Sequence, residues 1–137
     1  DPFATGRHVY HLQRKYPHAE IAFACPRLRP IKGNTTIYPM GVGEAELLQI
    51  CCAYRLLMPS SALTVSTREV PRVRDHLMQI AATKISAGVS TGIGAHSHQK
   101  EEGDDQFEIA DHRSVDAVFN GLVSEGMQPV MADAIFL

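Results

Sequence analysis

The chain lacks the residues and runs on which several common protein classes depend. It has no tryptophan and only three cysteines among its 137 residues. An odd number of cysteines does not favour a disulfide framework, and Cys51 and Cys52 are adjacent in a helical pattern. A reducing cytoplasm is therefore the expected location. No apolar run reaches the length of about 18 residues that a membrane span needs. The P-loop and dinucleotide fingerprints are also absent from the sequence.

The charge balance argues against a dedicated nucleic-acid or acidic-membrane surface. The formal net charge is -2, and the sequence has no concentrated basic block. A hydrophobic fraction of 45% over 137 residues is enough for one core. We therefore expect residues 1–137 to form a single domain that binds neither nucleic acid nor membrane.

Helical and strand patterns alternate along the chain. Apolar runs predict four strands at residues 21–25, 62–67, 84–88 and 128–133. The continuous apolar run at residues 21–25 is typical of a strand that is buried on both faces. Helical spacing and end signals predict helices over residues 3–16, 44–58, 71–81 and 114–126. This alternation predicts an α/β fold, a partial (half) βα TIM-type barrel with about four parallel strands. Half a barrel leaves an apolar inner face uncovered, so we expect the chain to be a piece of something larger or to pair with a second copy.

Polar side chains follow three of these strands, where parallel βα folds bind their ligands. Arginine holds a carboxylate with its planar fork, serine and threonine can complete the cage, and Glu69 could accept an ammonium group. An amino acid or similar zwitterion is the ligand that this set suits. Alternatively, Arg27, Arg29 and Glu69 are salt-bridged residues of the barrel rim. The candidate binding residues are Arg27, Arg29, Ser66, Arg68, Glu69, Ser86, Ser90 and Thr91.

Residues 84–98 run from an apolar strand into glycines and hydroxyls, which favour a cradle for an anion around Ser90 and Thr91. His96 and His98 lie near acidic residues and could form a metal site, but a solvated cover over about twenty residues is the stronger expectation. We therefore predict no metal ligands and no catalytic residue in this chain. Cys25 is expected to pack as a small hydrophobe.

Four motifs in order resemble a known family. They are residues 25–30 (CPRLRP), 63–69 (LTVSTRE), 85–94 (ISAGVSTGIG) and 106–114 (QFEIADHRS). Together they resemble the C-terminal half of the radical S-adenosylmethionine tyrosine lyases, a region called the biotin and thiamin synthesis associated domain. One branch of that family is the 2-iminoacetate synthases of thiazole (thiamin) biosynthesis, and the other matures [FeFe]-hydrogenase.

The resemblance implies a larger parent enzyme with a complete βα barrel. Its N-terminal half would carry a CxxxCxxC loop with a [4Fe-4S] cluster that cleaves S-adenosylmethionine, and the resulting radical would break the Cα–Cβ bond of tyrosine to give p-cresol and dehydroglycine (2-iminoacetate). This chain would close the barrel and hold substrate and cofactor. By motif position, Arg68 and Ser86 are the candidates for the tyrosine carboxylate, with Ser90 and Thr91 beside them. The implied partners are the N-terminal half-barrel and tyrosine, with thiazole synthase or self-association as further options.

Departures from the family pattern limit what this chain does alone. It has no CxxxCxxC motif, so the isolated chain is not expected to bind the cluster or to be active. Residues 129–135 lack the second cysteine pair of the hydrogenase branch, which favours the thiazole branch. The absence of tryptophan near Asp133 and the loop 91–94 point toward the hydrogenase branch instead. A tyrosine lyase of hydrogenase-maturation type and a non-catalytic module that binds an amino acid or a partner are the alternatives.

Overall fold

The computed structural model describes residues 1–28, 41–89 and 109–131. Helices and strands alternate along these residues. The helices are α1 (Pro2–Lys15), α2 (Glu44–Leu57), α3 (Pro71–Ile80) and α4 (Val115–Ser124). The strands are β1 (Ala22–Ala24), β2 (Ala62–Val65) and β3 (Lys84–Ile85).

The three described strands form one parallel sheet in the order β1-β2-β3. Ala22 pairs with Ala62 at the start of the β1–β2 ladder, and Thr64 pairs with Lys84 in the β2–β3 ladder. A parallel sheet with flanking helices is consistent with a partial βα barrel. The predicted fourth strand is not confirmed, because residues 128–131 form no strand and the rest of that prediction lies outside the described residues.

The helices start where local chemistry favours them. Asp1 caps α1 by accepting a hydrogen bond from the Phe3 N–H at 3.0 Å, and Pro2 follows as the first helical residue. The side chain of Ser114 caps α4 in the same way, accepting from the Ala117 N–H at 3.2 Å. Both caps satisfy N–H groups that have no partner within the helix.

The main core lies between the sheet and helices α2 and α3. Its buried members are Leu47, Cys51, Leu63, Val65, Val73, Leu77, Ala81 and Ala82. A smaller cluster of Val9, Tyr54 and Met58 joins α1 to α2. The Tyr54 hydroxyl donates to the Pro2 carbonyl, and its ring packs edge-on against Phe23 with centroids 5.2 Å apart.

Among the described residues, one face of β1 is packed against helices and the other is open. Phe23 packs against the core, but its neighbours Ala22 and Ala24 are exposed. The prediction that β1 is buried on both faces is therefore wrong for the part of the chain that the structure describes, because the helices there cover only one face of the strand. Tyr16, which follows α1, is also exposed.

No helix among the described residues combines the length and the apolar character that crossing a bilayer would demand.

Candidate functional site

Five of the eight predicted binding residues lie within the described part of the chain, and all five follow the carboxyl ends of the parallel strands. Arg27 comes three positions after β1, Ser66 directly after β2, and Ser86 directly after β3. Arg68 and Glu69 occupy the turn that follows Ser66. The strand ends therefore bring these residues to one edge of the sheet, as parallel βα topology requires.

Arg27 and Glu69 form an ion pair between the ends of β1 and β2. The Arg27 Nε lies 3.1 Å from both carboxylate oxygens of Glu69, and Nη2 also donates to Oε2. Glu69 is only 1% exposed, whereas Arg27 is half-buried. The hydrogen bond to the Glu69 carboxylate raises the pKa of Arg27, so the guanidinium keeps its positive charge.

The Arg27 guanidinium also reaches the segment that leads into α2. Its Nη1 donates to the Val42 carbonyl at 3.3 Å. One side chain thus connects the end of β1, the turn after β2 and the approach to α2. Such a brace restricts how far these three segments can move relative to one another.

The turn after β2 is organised by Ser66. Its hydroxyl accepts a hydrogen bond from the Arg68 N–H at 3.4 Å, and its carbonyl accepts from the Glu69 N–H at 3.3 Å. These two hydrogen bonds close a turn directly after β2. Arg68 is half-buried, and its environment includes a further interaction, so it is not a free surface charge.

Ser86 joins the edge through its backbone. Its N–H donates to the Val65 carbonyl at 3.2 Å, which extends the β2–β3 ladder by one bond. Its carbonyl accepts from the Arg74 guanidinium. The Ser86 side chain is half-buried beside the residues that end β2.

A buried ion network lies beneath this edge and was not predicted as a unit. Arg74 on α3 pairs with Asp111, and neither side chain has exposed surface. Arg113 donates to Asp111 through its backbone N–H at 3.0 Å and reaches Asp75 on α3 at 2.9 Å. The Ala110 and Asp111 N–H groups both donate to the Thr67 carbonyl. The network therefore attaches residues 110–113 to α3 and to the turn after β2.

The charged groups of the network shift one another's pKa values. Burial alone would raise the pKa of Asp111, but hydrogen bonds from Arg113 and the charge of Arg74 outweigh it and hold that pKa below its ordinary value. Burial lowers the pKa of Arg74, and Asp111 partly offsets that effect. The carboxylate thus stays ionised and keeps the buried guanidinium compensated.

Arg74 is the site residue that reading the sequence missed, although a signal was present. It lies four residues after Val70 and three before Leu77, so it falls on the same helical stripe as the core positions. A charged residue on such a stripe indicates a buried partner. Asp111, which lies between β3 and α4, is that partner.

The remaining predicted residues belong to other parts of the chain. Arg29, Ser90 and Thr91 lie outside the described residues, and so do His96 and His98. In the described ranges, no three histidine, cysteine or acidic side chains come together as metal ligands would.

The sequence and fold agree with known proteins of one kind. Residues 24–128 match the family of the Biotin and Thiamin Synthesis associated domain. The 2-iminoacetate synthase of Salmonella typhimurium is 35% identical over 134 residues, which covers 97% of this chain and 35% of that protein. The 2-iminoacetate synthase of Escherichia coli is 36% identical with the same coverage. The chain thus spans about a third of the length of these relatives.

Solved structures give the same answer for the fold. The FeFe-hydrogenase maturase HydG from Carboxydothermus hydrogenoformans superposes with a TM-score of 0.82 at 24% identity, over 97% of this chain and 30% of that one. A second structure of HydG, a maturase of the [FeFe]-hydrogenase, gives 0.74 at 30% identity over 88% of this chain and 26% of that one. From the match over residues 24–128, we conclude that the chain belongs to the Biotin and Thiamin Synthesis associated domain family.

Proposed function

We propose that this chain is the amino-acid-holding part of a radical S-adenosylmethionine lyase that cleaves tyrosine to p-cresol and 2-iminoacetate. The observation that carries the proposal is the identity of 35–36% to two 2-iminoacetate synthases across 97% of the chain. The HydG structures share the fold at 24–30% identity, which favours the thiamin branch over the hydrogenase branch.

The radical chemistry itself would belong to the other two thirds of such an enzyme. The three cysteines of this chain, at positions 25, 51 and 52, do not have the spacing of a CxxxCxxC cluster loop. The described residues also offer no group of three metal ligands. When bound elsewhere in the enzyme, the cluster and S-adenosylmethionine would supply the radical. This chain's residues would bind and orient the substrate.

The contacts at the edge and the motif positions together support a division of roles among these residues. Arg27 and Glu69 compensate each other, so the pair adds little net charge for a ligand carboxylate and acts best as a brace. Arg68 is the proposed partner of the carboxylate because of its position in the motif at residues 63–69, with the hydroxyls of Ser66 and Ser86 as further candidates. An arginine fork fixes the orientation of an amino acid as well as its position, which limits which hydrogen lies near a radical.

The test joins this chain to the remaining portion of the Escherichia coli 2-iminoacetate synthase. The fused enzyme is reconstituted with iron and sulfide, then assayed for p-cresol release from tyrosine. We expect turnover from the fusion and none from the chain alone. Tyrosine binding without p-cresol release in a fusion with an intact cluster would instead support a non-catalytic binding module.

The role of Arg68 is tested in the same fusion. Losing a charge-assisted hydrogen bond costs about 1.5–3 kcal/mol, so Arg68→Ala is expected to weaken tyrosine binding by about 10- to 100-fold. Arg72→Ala is the matched control, because Arg72 is an exposed arginine whose side chain is 65% accessible. Tyramine lacks the carboxylate, so its affinity should be equal in the wild type and in Arg68→Ala. An equal loss for tyrosine and tyramine would contradict the carboxylate assignment.

A further inference from the structure

Two cysteines from different elements meet where β1 ends against α2. Cys25 follows β1 directly and is half-buried, and Cys51 is a core residue of α2 with 3% exposure. Cys25 packs against the cluster to which Cys51 belongs, and both line one small cavity with Leu47 and Leu63. A second, wider cavity of about 370 Å³ reaches Cys25 but not Cys51. The pair therefore has one sulfur on the accessible side and one on the core side.

The two thiols interact unequally. A hydrogen bond from Cys51 lowers the pKa of Cys25 to about 7, even though burial works against this. The same hydrogen bond raises the pKa of Cys51, and burial adds to that rise. The more accessible sulfur is thus the one with thiolate character near neutral pH, which is the reactive form of cysteine.

We propose that Cys25 and Cys51 are a redox-sensitive dithiol that a small disulfide such as oxidised glutathione converts to an intramolecular disulfide. The Cys25 thiolate attacks one sulfur of oxidised glutathione, the glutathione S–S bond breaks, and one glutathione leaves. Cys51 then loses its proton to solvent, attacks the Cys25 sulfur of the mixed disulfide, and releases the second glutathione. Two protein thiols are oxidised, one disulfide is reduced to two thiols, and the protons are conserved.

The neighbouring Cys52 makes the proposal specific. It is one residue from Cys51 but lies outside the core cluster that contacts Cys25. Consecutive residues of a helix point about 100° apart, so only one of the two can face Cys25. In an unfolded chain the two would be almost equally close to Cys25.

The protein, expressed with its full native sequence, is equilibrated in glutathione redox buffers, alkylated in acid and digested with trypsin. Cleavage after Lys15 and Arg27 places Cys25 in one peptide, and cleavage after Lys32 and Arg55 places Cys51 and Cys52 in another. Fragmentation of the linked peptides then distinguishes the two possible bonds. We expect the Cys25–Cys51 bond to predominate by at least about tenfold in native protein and the two bonds to be similar in concentrated urea.

Matched variants complete the test. Cys52→Ser should oxidise like the wild type, whereas Cys51→Ser should stop at the Cys25–glutathione mixed disulfide. If Cys51→Ser does not fold, the native-to-urea comparison on the wild type decides alone. The proposal is overturned by a dominant Cys25–Cys52 bond, by glutathione adducts without a Cys25–Cys51 bond, or by equal bond ratios in buffer and urea.

Discussion

Replacing Asp111 by asparagine should destabilise the protein far more than removing a surface charge. Asp111 and Arg74 are both fully buried, and Asp111 also accepts from Arg113. Asparagine keeps the size of the side chain but removes the charge that compensates the Arg74 guanidinium. Breaking a buried pair in this way costs about 3–5 kcal/mol. This loss is a large share of the free energy of unfolding of a typical domain, which is roughly 5–15 kcal/mol.

The assay is urea unfolding followed by circular dichroism. With an m-value of about 2 kcal/mol/M, a loss of about 3–5 kcal/mol lowers the midpoint by about 1.5–2.5 M without changing the slope. Arg72→Ala is the control, since it breaks the exposed pair with Glu44 and should cost about 1 kcal/mol or less. A loss for Asp111→Asn no larger than that of the control would refute the reasoning.

A double variant separates the net contribution of the Arg74–Asp111 ion pair to stability from the penalty of leaving one buried charge unpaired. In Arg74→Met/Asp111→Leu both charges are gone and the space remains filled with apolar atoms. We expect this protein to be more stable than Asp111→Asn, because no buried charge is left without a partner. A larger loss in the double variant would mean that the hydrogen bonds to Ser86 and Arg113, rather than charge compensation, dominate the network.

Three further predictions concern pH and glycine. The pKa of Asp111 is lowered in the folded protein, so the ionised carboxylate stabilises the fold above its unfolded pKa of about 3.9. This stabilisation is lost as the pH falls through the folded pKa. The free energy of unfolding should therefore fall less with decreasing pH in Asp111→Asn than in the wild type. Burial raises the pKa of Tyr54 to about 12, so the unfolded protein loses this proton at a lower pH than the folded protein does. The free energy of unfolding should therefore decline from about pH 10 towards pH 12, and the phenolate absorbance measured during unfolding checks this. Gly88→Ala should lower the free energy of unfolding by about 1–2 kcal/mol in thermal or urea unfolding, because Gly88 has a φ of +62° and the new Cβ would lie 3.2 Å from Val115 Cγ2. Gly121→Ala in α4 is the control. Its new Cβ meets nothing within 4 Å, so this variant should not be destabilised.

Element order and helix starts could be predicted because they depend on local signals. Pro71 begins α3 and Ser114 caps α4, as their positions before apolar periodic stretches indicate. The sequence pattern extends β2 and β3 further than the structure does, because β2 ends at Val65 and β3 at Ile85. The apolar and β-branched residues continue to Thr67, but the strand has already given way to a turn at Ser66, which closes the turn by hydrogen bonds. The propensities of single residues do not reveal that turn.

The site could be predicted only as a set of positions. Parallel topology places residues after the strands at one edge, so Arg27, Ser66 and Ser86 could be grouped from sequence. Which charge pairs with which depends on distances between segments that are 42 residues apart in the chain, as for Arg27 and Glu69. The ligand roles of all these residues remain predictions, because contacts among themselves do not identify what they bind.

The open face of the sheet shows why an apolar run is ambiguous. Ala22 and Ala24 alternate with Phe23, and in the described part of the chain Phe23 packs against the core while both alanines are exposed. Sequence alone reads three apolar residues as buried on both faces, because it does not say whether the second layer is supplied by the same chain. Small side chains on the open face are what a barrel interior needs if a ligand is to lie there, since larger ones would fill it. Under the proposed function, the remaining two thirds of the enzyme would cover this face, and the alanines would leave the space that the amino acid occupies.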